Sequence, residues 1–162
     1  DFWTKDKLVD QINFMKNNDY KFTFSDYFTF KGKKTNEIIR KTNITDYFDY
    51  QSFMKNSSIN TSSMIIKKTI LGTTRFKNLR LLEDYVFKCD LLKKGHIAYK
   101  LNKCSVSYRL FPDSRSSSKI KNLIHLWKIN KNFNKLNFLS NLSSLIGITF
   151  NSIKKYGYKK YF

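Results

Sequence analysis

Leu82-Glu83-Asp84-Tyr85-Val86-Phe87-Lys88-Cys89-Asp90-Leu91-Leu92-Lys93-Lys94-Gly95 is the stretch on which the reading of this chain turns. Two adjacent carboxylates stand where a helix would begin, and acids there favour the positive end of the helix dipole by about 0.3–1 kcal/mol. Lys93 and Lys94 close the segment, and Gly95 supplies the residue type that ends many helices. A helix over 84–94 is therefore expected. Tyr85, Cys89 and Leu92 share one of its faces, while Phe87 and Leu91 take the opposite one, so it should be covered on two sides. Strands are expected at 96–101 and 105–110. A loop follows that holds Pro112, Ser114, Ser116, Ser117 and Ser118.

Working back toward the start, Thr4 is a candidate helix cap, and Leu8, Ile12 and Met15 recur at helical spacing over residues 4–17. Tyr20, Phe22 and Phe24 alternate with Lys21, Thr23 and Ser25, the pattern of a half-buried strand. A second strand is expected at 27–30, running into a turn around Gly32. Residues 35–44 are polar and weakly patterned. Thr45 is placed to cap a short helix through Phe48 and Phe53. Met64-Ile65-Ile66, preceded by Asn60-Thr61-Ser62-Ser63, reads as a brief buried strand. Residues 67–82 read as loop with a helical turn.

From Lys119 onward the spacing is helical, with a soft joint near Asn134-Lys135. Ile120, Leu123, Ile124 and Trp127 form one face; Leu136, Leu139, Leu142, Leu145, Ile146 and Ile153 continue at helical spacing, flanked by lysines. That apolar stripe has three readings: packing onto the rest of the domain, lying on an anionic membrane, or pairing with a second copy. The first is the expected one. Ser140, Asn141, Ser143 and Ser144 interrupt it, and no apolar run approaches the ~20 residues of a membrane-spanning helix.

With 162 residues the chain is large enough for one domain with a core, and its 41% hydrophobic content argues against disorder. The formal charge of +19 invites a nucleic-acid reading. Against it, the lysines are dispersed and the arginines are only Arg40, Arg75, Arg80, Arg109 and Arg115. Arg is the usual choice for bidentate phosphate and base contacts. Asn, Ile, Phe, Tyr and Lys all have A/T-rich codons, which accounts for much of the Lys excess. The remaining physical consequence is attraction to anionic surfaces, nucleotide diphosphates or lipid-linked phosphates. Cys89 and Cys104 have no ligand or redox spacing and read as buried thiols. His96 and His125 have no ligand-spaced partner either.

Five pieces of the sequence, in order, resemble the family-2 glycosyltransferases of the GT-A fold between Asp1 and about Lys119. Asp1-Phe2-Trp3 with Lys7-Leu8 and Gln11-Ile12 looks like the segment directly after the family's metal-binding DxD motif. Asn60-Thr61-Ser62-Ser63 resembles the acceptor-side loop. Glu83-Asp84-Tyr85 resembles the acidic dipeptide whose second member is the base. Lys93-Lys94-Gly95-His96-Ile97-Ala98-Tyr99 is similar to the helix exit and next strand. Tyr108-Arg109 with Ser114, Ser116, Ser117 and Lys119 is similar to the closing loop near the donor diphosphate. Lys88 stands where the family often has Trp.

The resemblance implies an α/β fold: a partial GT-A (nucleotide-diphospho-sugar transferase) fold, with a mixed sheet, flanking helices and a C-terminal helical tail. It divides the chain into an acceptor-side part, 1–118, and a helical segment, 119–162. It implies an inverting glycosyltransferase that takes a sugar from a nucleotide-diphosphate donor to a glycan or lipid-linked acceptor. Asp84 would be the general base. Trp3, Thr61, Ser62 and Glu83 would meet the acceptor, and Arg109, Ser114, Ser117 and Lys119 the donor diphosphate. A divalent cation, Mn²⁺ or Mg²⁺, would sit on a DxD motif upstream of Asp1. This stretch, starting just after that motif, is then expected to be inactive alone. The expected location is cytoplasmic, peripheral at the inner face of the cell membrane and in contact with its anionic surface. The alternative is a basic, non-catalytic nucleic-acid-binding or membrane-surface module, with nucleic acid the less favoured partner.

Overall fold

A computed structural model describes residues 1–30, 38–42, 45–110 and 119–156, with the side chains of 38–42, 119, 155 and 156 outside the description. In chain order the elements are β1 (Phe2–Trp3), α1 (Lys7–Asn17), β2 (Phe22–Phe30), β3 (Ile38–Thr42), β4 (Tyr47–Phe48), α2 (Tyr50–Lys55), β5 (Ile65–Ile66), α3 (Glu83–Lys93), β6 (Ala98–Arg109), α4 (Lys119–Asn132) and α5 (Phe138–Tyr156). Single 3₁₀ turns cover Thr61–Ser63 and Lys68–Ile70. The sheet is mixed. Its central pair, β2 and β6, is parallel, and β1, β3, β4 and β5 add antiparallel to one or the other. This α/β arrangement with flanking helices fits a partial GT-A fold.

Two pairs of expected strands are single strands. Residues 22–25 and 27–30 belong to one continuous β2, and 98–101 and 105–109 to one β6, with the expected ends at 20–21, 96–97 and 110 lying outside the strands. The parallel register jumps from Ser25↔Leu101 to Asp26↔Cys104 and then to Tyr27↔Val106. The polar break at Asn102-Lys103 is thus an irregularity in a continuing strand rather than a turn. β2 is also not half-buried: Phe22 and Phe24 are fully buried on one side, and so are Thr23 and Ser25 on the other. A central strand has both faces covered, so its polar side chains must pair. Ser25 meets Ser105 hydroxyl to hydroxyl at 2.5 Å. The turn expected around Gly32 lies outside the described residues.

Other local expectations shift for reasons of polar satisfaction. The first helix begins at Lys7, later than its expected start, and Thr4 contributes only its carbonyl, which accepts from the Lys7 N–H. The short second helix is capped by Asp49, not Thr45. Ser52 N–H donates to Asp49 at 2.7 Å and Asp49 N–H to the Ser52 hydroxyl at 3.0 Å, a reciprocal cap. Phe48 lies in β4, just outside that helix, and Phe53 within it; both are fully buried. α3 runs as read, buried on both of its apolar faces, and Gly95 (φ +83°) follows its end. The sheet aromatics Phe22, Phe24, Tyr27 and Phe30 all lie in the interior, so they do not form an open platform for stacking bases.

The largest correction concerns the C-terminal stripe. α4 and α5 meet at a joint where Lys135 takes φ +56°. α5 docks through its polar side, with Asn141 and Ser144 buried, while Leu139, Leu142 and Ile146 are exposed. Among its described apolar residues, Leu145 and Ile148 pack against the core. The reason lies in α2, whose final carbonyls lack helical partners. Ser144 Oγ donates to Met54 O at 2.6 Å, and Asn151 Nδ2 donates to Lys55 O at 3.1 Å. Within the hairpin, Asn141 Nδ2 donates to Trp127 O at 3.0 Å. In α4, likewise, Leu126, Ile129 and Asn130 are buried while Ile120 and Ile124 face out.

Gly147 permits that docking. A Cβ there would lie 2.9 Å from Lys55 Cβ, closer than real Cβ atoms approach, and 3.0 Å from Lys55 O, which is tighter than most. Gly147→Ala gains about 1 kcal/mol of helix propensity. Pushing α5 off α2 costs about 1–3 kcal/mol, as overpacking does. The expected result is a net loss near 1 kcal/mol, measured by denaturant unfolding, with Gly147→Val worse. A stabilised Ala variant would show that the two helices separate freely.

Candidate active site

Four elements converge at one corner of the sheet. β1 pairs with β6 through Phe2↔Ser107 and Trp3↔Val106, which carries Asp1 to the end of β6. There the Arg109 N–H donates to Asp1 Oδ1 at 3.2 Å, and Ser62 Oγ donates to Asp1 Oδ2 at 2.5 Å. The 3₁₀ turn bearing Thr61 and Ser62 is set by Asn60, whose Oδ1 accepts from Ser62 N–H at 2.7 Å. Trp3 Nε1 donates to Ser62 O at 2.9 Å, and its ring lies under the buried Lys7 ammonium, 4.5 Å away. Gln11 ties the same turn to the sheet, donating to Ser63 O at 3.1 Å and to Thr23 Oγ1 at 3.0 Å. This is why Lys7, Gln11 and Met15, not Leu8 and Ile12, form the buried face of α1.

Asp84 is the second residue of α3, which opens directly after Leu82; Leu82 holds φ +63°, an uncommon conformation for a branched apolar residue. Asp84 Oδ2 accepts two hydrogen bonds of 2.7 Å, one from Thr61 Oγ1 and one from Lys88 Nζ. Lys88 is almost fully buried, and its ammonium also donates to Ile59 O at 2.8 Å. The Asp84 side chain itself remains 40% exposed. Burial pushes the Asp84 carboxyl up, but the Lys88 charge and the hydrogen bonds from Lys88 and Thr61 outweigh it and hold the group below the usual carboxylate range. Burial raises the Tyr108 hydroxyl, and the Asp84 charge adds to that rise, so Tyr108 lies within electrostatic reach.

Asp84 and Lys88 line a cavity of about 470 Å³ whose other walls include Ile59, Leu123, Leu126 and Ile148. Its size is that of a small-molecule site, and its lining is mostly apolar with one carboxylate and one ammonium at the wall. Chemically, the arrangement holds an ionised carboxylate in a fixed rotamer beside an apolar chamber.

The structure thus brings together Trp3, Thr61, Ser62, Asp84 and Arg109. Glu83 sits beside Asp84 in the first turn of α3. The Arg109 guanidinium stacks on the Phe2 and Phe30 rings, 5.3 Å from each. Ser114 and Ser117 lie outside the described residues, and so does the side chain of Lys119. Sequence reasoning treated Lys88 only as a departure from a pattern. Its i, i+4 spacing to Asp84 was the available signal for the ion pair. The cavity walls from α4 and α5 had no local signal at all. Among the described residues no cluster of three or more His, Cys, Asp or Glu side chains is placed to hold a metal. Asp1 is engaged by Ser62 and Arg109, so these residues alone do not fit a divalent cation.

No family model matches the chain. Its similarity to curated proteins nevertheless runs through nearly its whole length. It is 28% identical over 155 residues to a Bacillus subtilis protein named as teichuronic acid biosynthesis glycosyltransferase TuaG, covering 96% of this chain and 61% of that one. It is also 28% identical over 159 residues to the Escherichia coli protein named UDP-Glc:alpha-D-GlcNAc-diphosphoundecaprenol beta-1,3-glucosyltransferase WfgD, covering 98% and 61%. A second Escherichia coli protein with the same activity in its name, WfaP, matches at 28% over 76% of the chain and 48% of its own length. The chain is a homologue of glycosyltransferases. It spans about 61% of the length of the first two relatives.

Proposed function

We propose that this chain is the acceptor-side part of an inverting, family-2-type glycosyltransferase with Asp84 as general base. It would move a sugar from a nucleotide-diphosphate donor onto a lipid-linked sugar at the cytoplasmic face of the cell membrane. The observation that carries the reading is Asp84, clamped by Thr61 and Lys88 yet open on one side, in the wall of an apolar cavity. In the transfer the acceptor oxygen forms a bond to the anomeric carbon while its proton passes to Asp84. The bond from that carbon to the diphosphate oxygen breaks, and its electron pair leaves with the diphosphate. A carboxylate of lowered pKa suits a proton that moves late, because it stays ionised until the acceptor oxygen is already acidified.

The apolar lining supports a lipid-borne acceptor over a free polysaccharide, whose hydroxyls would each need a partner there. WfgD and WfaP are both named for a diphosphoundecaprenol-linked acceptor. Trp3, Ser62 and Glu83 are proposed to border the acceptor, and Arg109, Ser114, Ser117 and Lys119 the donor diphosphate. A divalent cation, Mn²⁺ or Mg²⁺, belongs to this proposal only with carboxylates that the described residues do not supply.

Incubating the complete protein with a panel of labelled nucleotide sugars and a synthetic diphospholipid-linked sugar tests the reading. Label is expected in the butanol-extracted lipid. Transfer only to water-soluble sugars would overturn the acceptor assignment, and no transfer from any donor would overturn the enzyme.

A further inference from the structure

The hairpin of α4 and α5 is divided: Leu126, Ile129, Asn130, Asn141 and Ser144 face the protein, while a second set of its apolar side chains faces away. In α5, Leu139, Leu142, Ile146 and Phe150 recur at i, i+3, i+7 and i+11, so they form one stripe. Ile120 and Ile124 of α4 and Phe138 are outward too, and these seven side chains are between 41% and 74% exposed. An exposed apolar stripe of this kind along α5 marks a face that meets something other than water.

The charge around it says what. From Ser114 to Phe162 the sequence contains no Asp or Glu, while it contains Arg115 and nine lysines. Of these, Lys121, Lys128, Lys131, Lys135 and Lys154 are described and exposed. A second copy pressed against this face would bring two such acid-free, basic surfaces together, which repel. An anionic bilayer offers the opposite charge and an apolar interior at the same surface. Depth is limited, because no helix among the described residues is long and apolar enough to cross a membrane. We propose that the outward face of the α4–α5 hairpin docks onto an anionic lipid surface, with the apolar stripe inserted at the level of the acyl boundary and the lysines among the headgroups. One wall of the cavity beside Asp84 would then belong to the same two helices that touch the lipid.

Docking does not depend on the transfer chemistry, so vesicle binding without sugar transfer would leave it standing. The measurement is co-sedimentation of the protein with phosphatidylcholine vesicles, with and without phosphatidylglycerol, at low and high salt. Binding is expected only with phosphatidylglycerol and is expected to fall with salt. Replacing Lys128 and Lys131 by Gln is expected to weaken partitioning about five-fold per lysine. The Ile146→Asp/Phe150→Asp pair is expected to weaken it at least about ten-fold, with the circular dichroism spectrum unchanged. If that pair does not fold, the lysine variants carry the decision alone. Binding that ignores lipid charge, or survives the lysine changes undiminished, overturns the assignment. So does a lipid-free dimer, seen by sedimentation, that the Ile146→Asp/Phe150→Asp pair dissolves; the face would then belong to a second copy.

Discussion

Asp84→Asn is expected to lower sugar transfer by ~10²–10⁴, the usual effect of losing a general base, and also to loosen the fold. The second effect follows from Lys88, which is 3% exposed and has as partners the Asp84 carboxylate and the Ile59 carbonyl. Removing one partner of a buried pair strands the other charge, at about 3–5 kcal/mol. The Asn oxygen still accepts from Lys88 and the site is partly open, so about 2–3 kcal/mol is expected here. A single mutant therefore confounds chemistry with stability. The Lys88→Met background separates them. Met fills the same space without a charge to strand, so adding Asp84→Asn there is expected to cost under about 0.5 kcal/mol in stability. The loss in turnover, measured relative to Lys88→Met, should persist. If it vanishes, Asp84 is a structural partner of Lys88 and not the base.

The pH dependence has a definite sign. Because the folded pKa of Asp84 is lowered, its contribution is fully present above the ordinary carboxylate value of ~3.9. It fades as pH falls through the lower folded value. Urea unfolding of the wild type against the double mutant should show a constant difference at neutral pH that disappears under acid. A difference that grows below pH 4 would contradict the lowered pKa.

Asn130→Ala is expected to detach the C-terminal hairpin. Asn130 is fully buried in α4. Its Oδ1 accepts from Tyr85 Oη at 3.0 Å and from Asn134 Nδ2 at 2.9 Å, and its Nδ2 donates to Ser144 Oγ at 3.1 Å. One side chain thus joins α3, α4 and α5. Truncation leaves the Asn134 donor with only sulfur acceptors and leaves Tyr85 with Met54 Sδ and the Ser144 hydroxyl, which itself loses the Asn130 donor, at about 1–3 kcal/mol for each group disturbed. About 3–4 kcal/mol in total lowers Tm by roughly 10 °C in a domain of this size. Hydrogen exchange should show the α5 amides losing protection first, since the hairpin's docking rests on this network and the α2 carbonyls more than on apolar contact. A shift under about 2 °C would mean that apolar contact through Leu126, Ile129, Leu145 and Ile148 holds the hairpin without this network.

The elements with strong local signatures were legible from residues 1 to 156. Glu83-Asp84 at one end and Lys94-Gly95 at the other delimit α3, and its two apolar faces announce that it is buried. The strand positions of β2 and β6 were legible as well, though not their continuity. A register jump at Ser25–Tyr27 is a property of the pair, and neither strand contains it alone. Within the candidate site, the sequence named Thr61 and Asp84 separately. Only the fold shows that they share a hydrogen bond and that Lys88 completes it.

What the sequence determined by itself was which residues share a face: Leu8 with Ile12, Ile120 with Ile124, Leu139 with Leu142 and Ile146. Periodicity carries that information because helical geometry is local. Which face turns inward was decided by the tertiary structure. α1 buries Gln11 because the turn at Ser63 and the strand at Thr23 accept from its amide, and Lys7 because it donates to the Gln11 Oε1. α5 buries Asn141 and Ser144, and sets the half-buried Asn151, against carbonyls left over at the end of α2 and within α4. A buried carbonyl without a partner costs about 1–3 kcal/mol, as much as the burial of one more Leu returns, so several such carbonyls together set the orientation. The polar faces therefore went in, and the apolar stripe of the hairpin was left facing out.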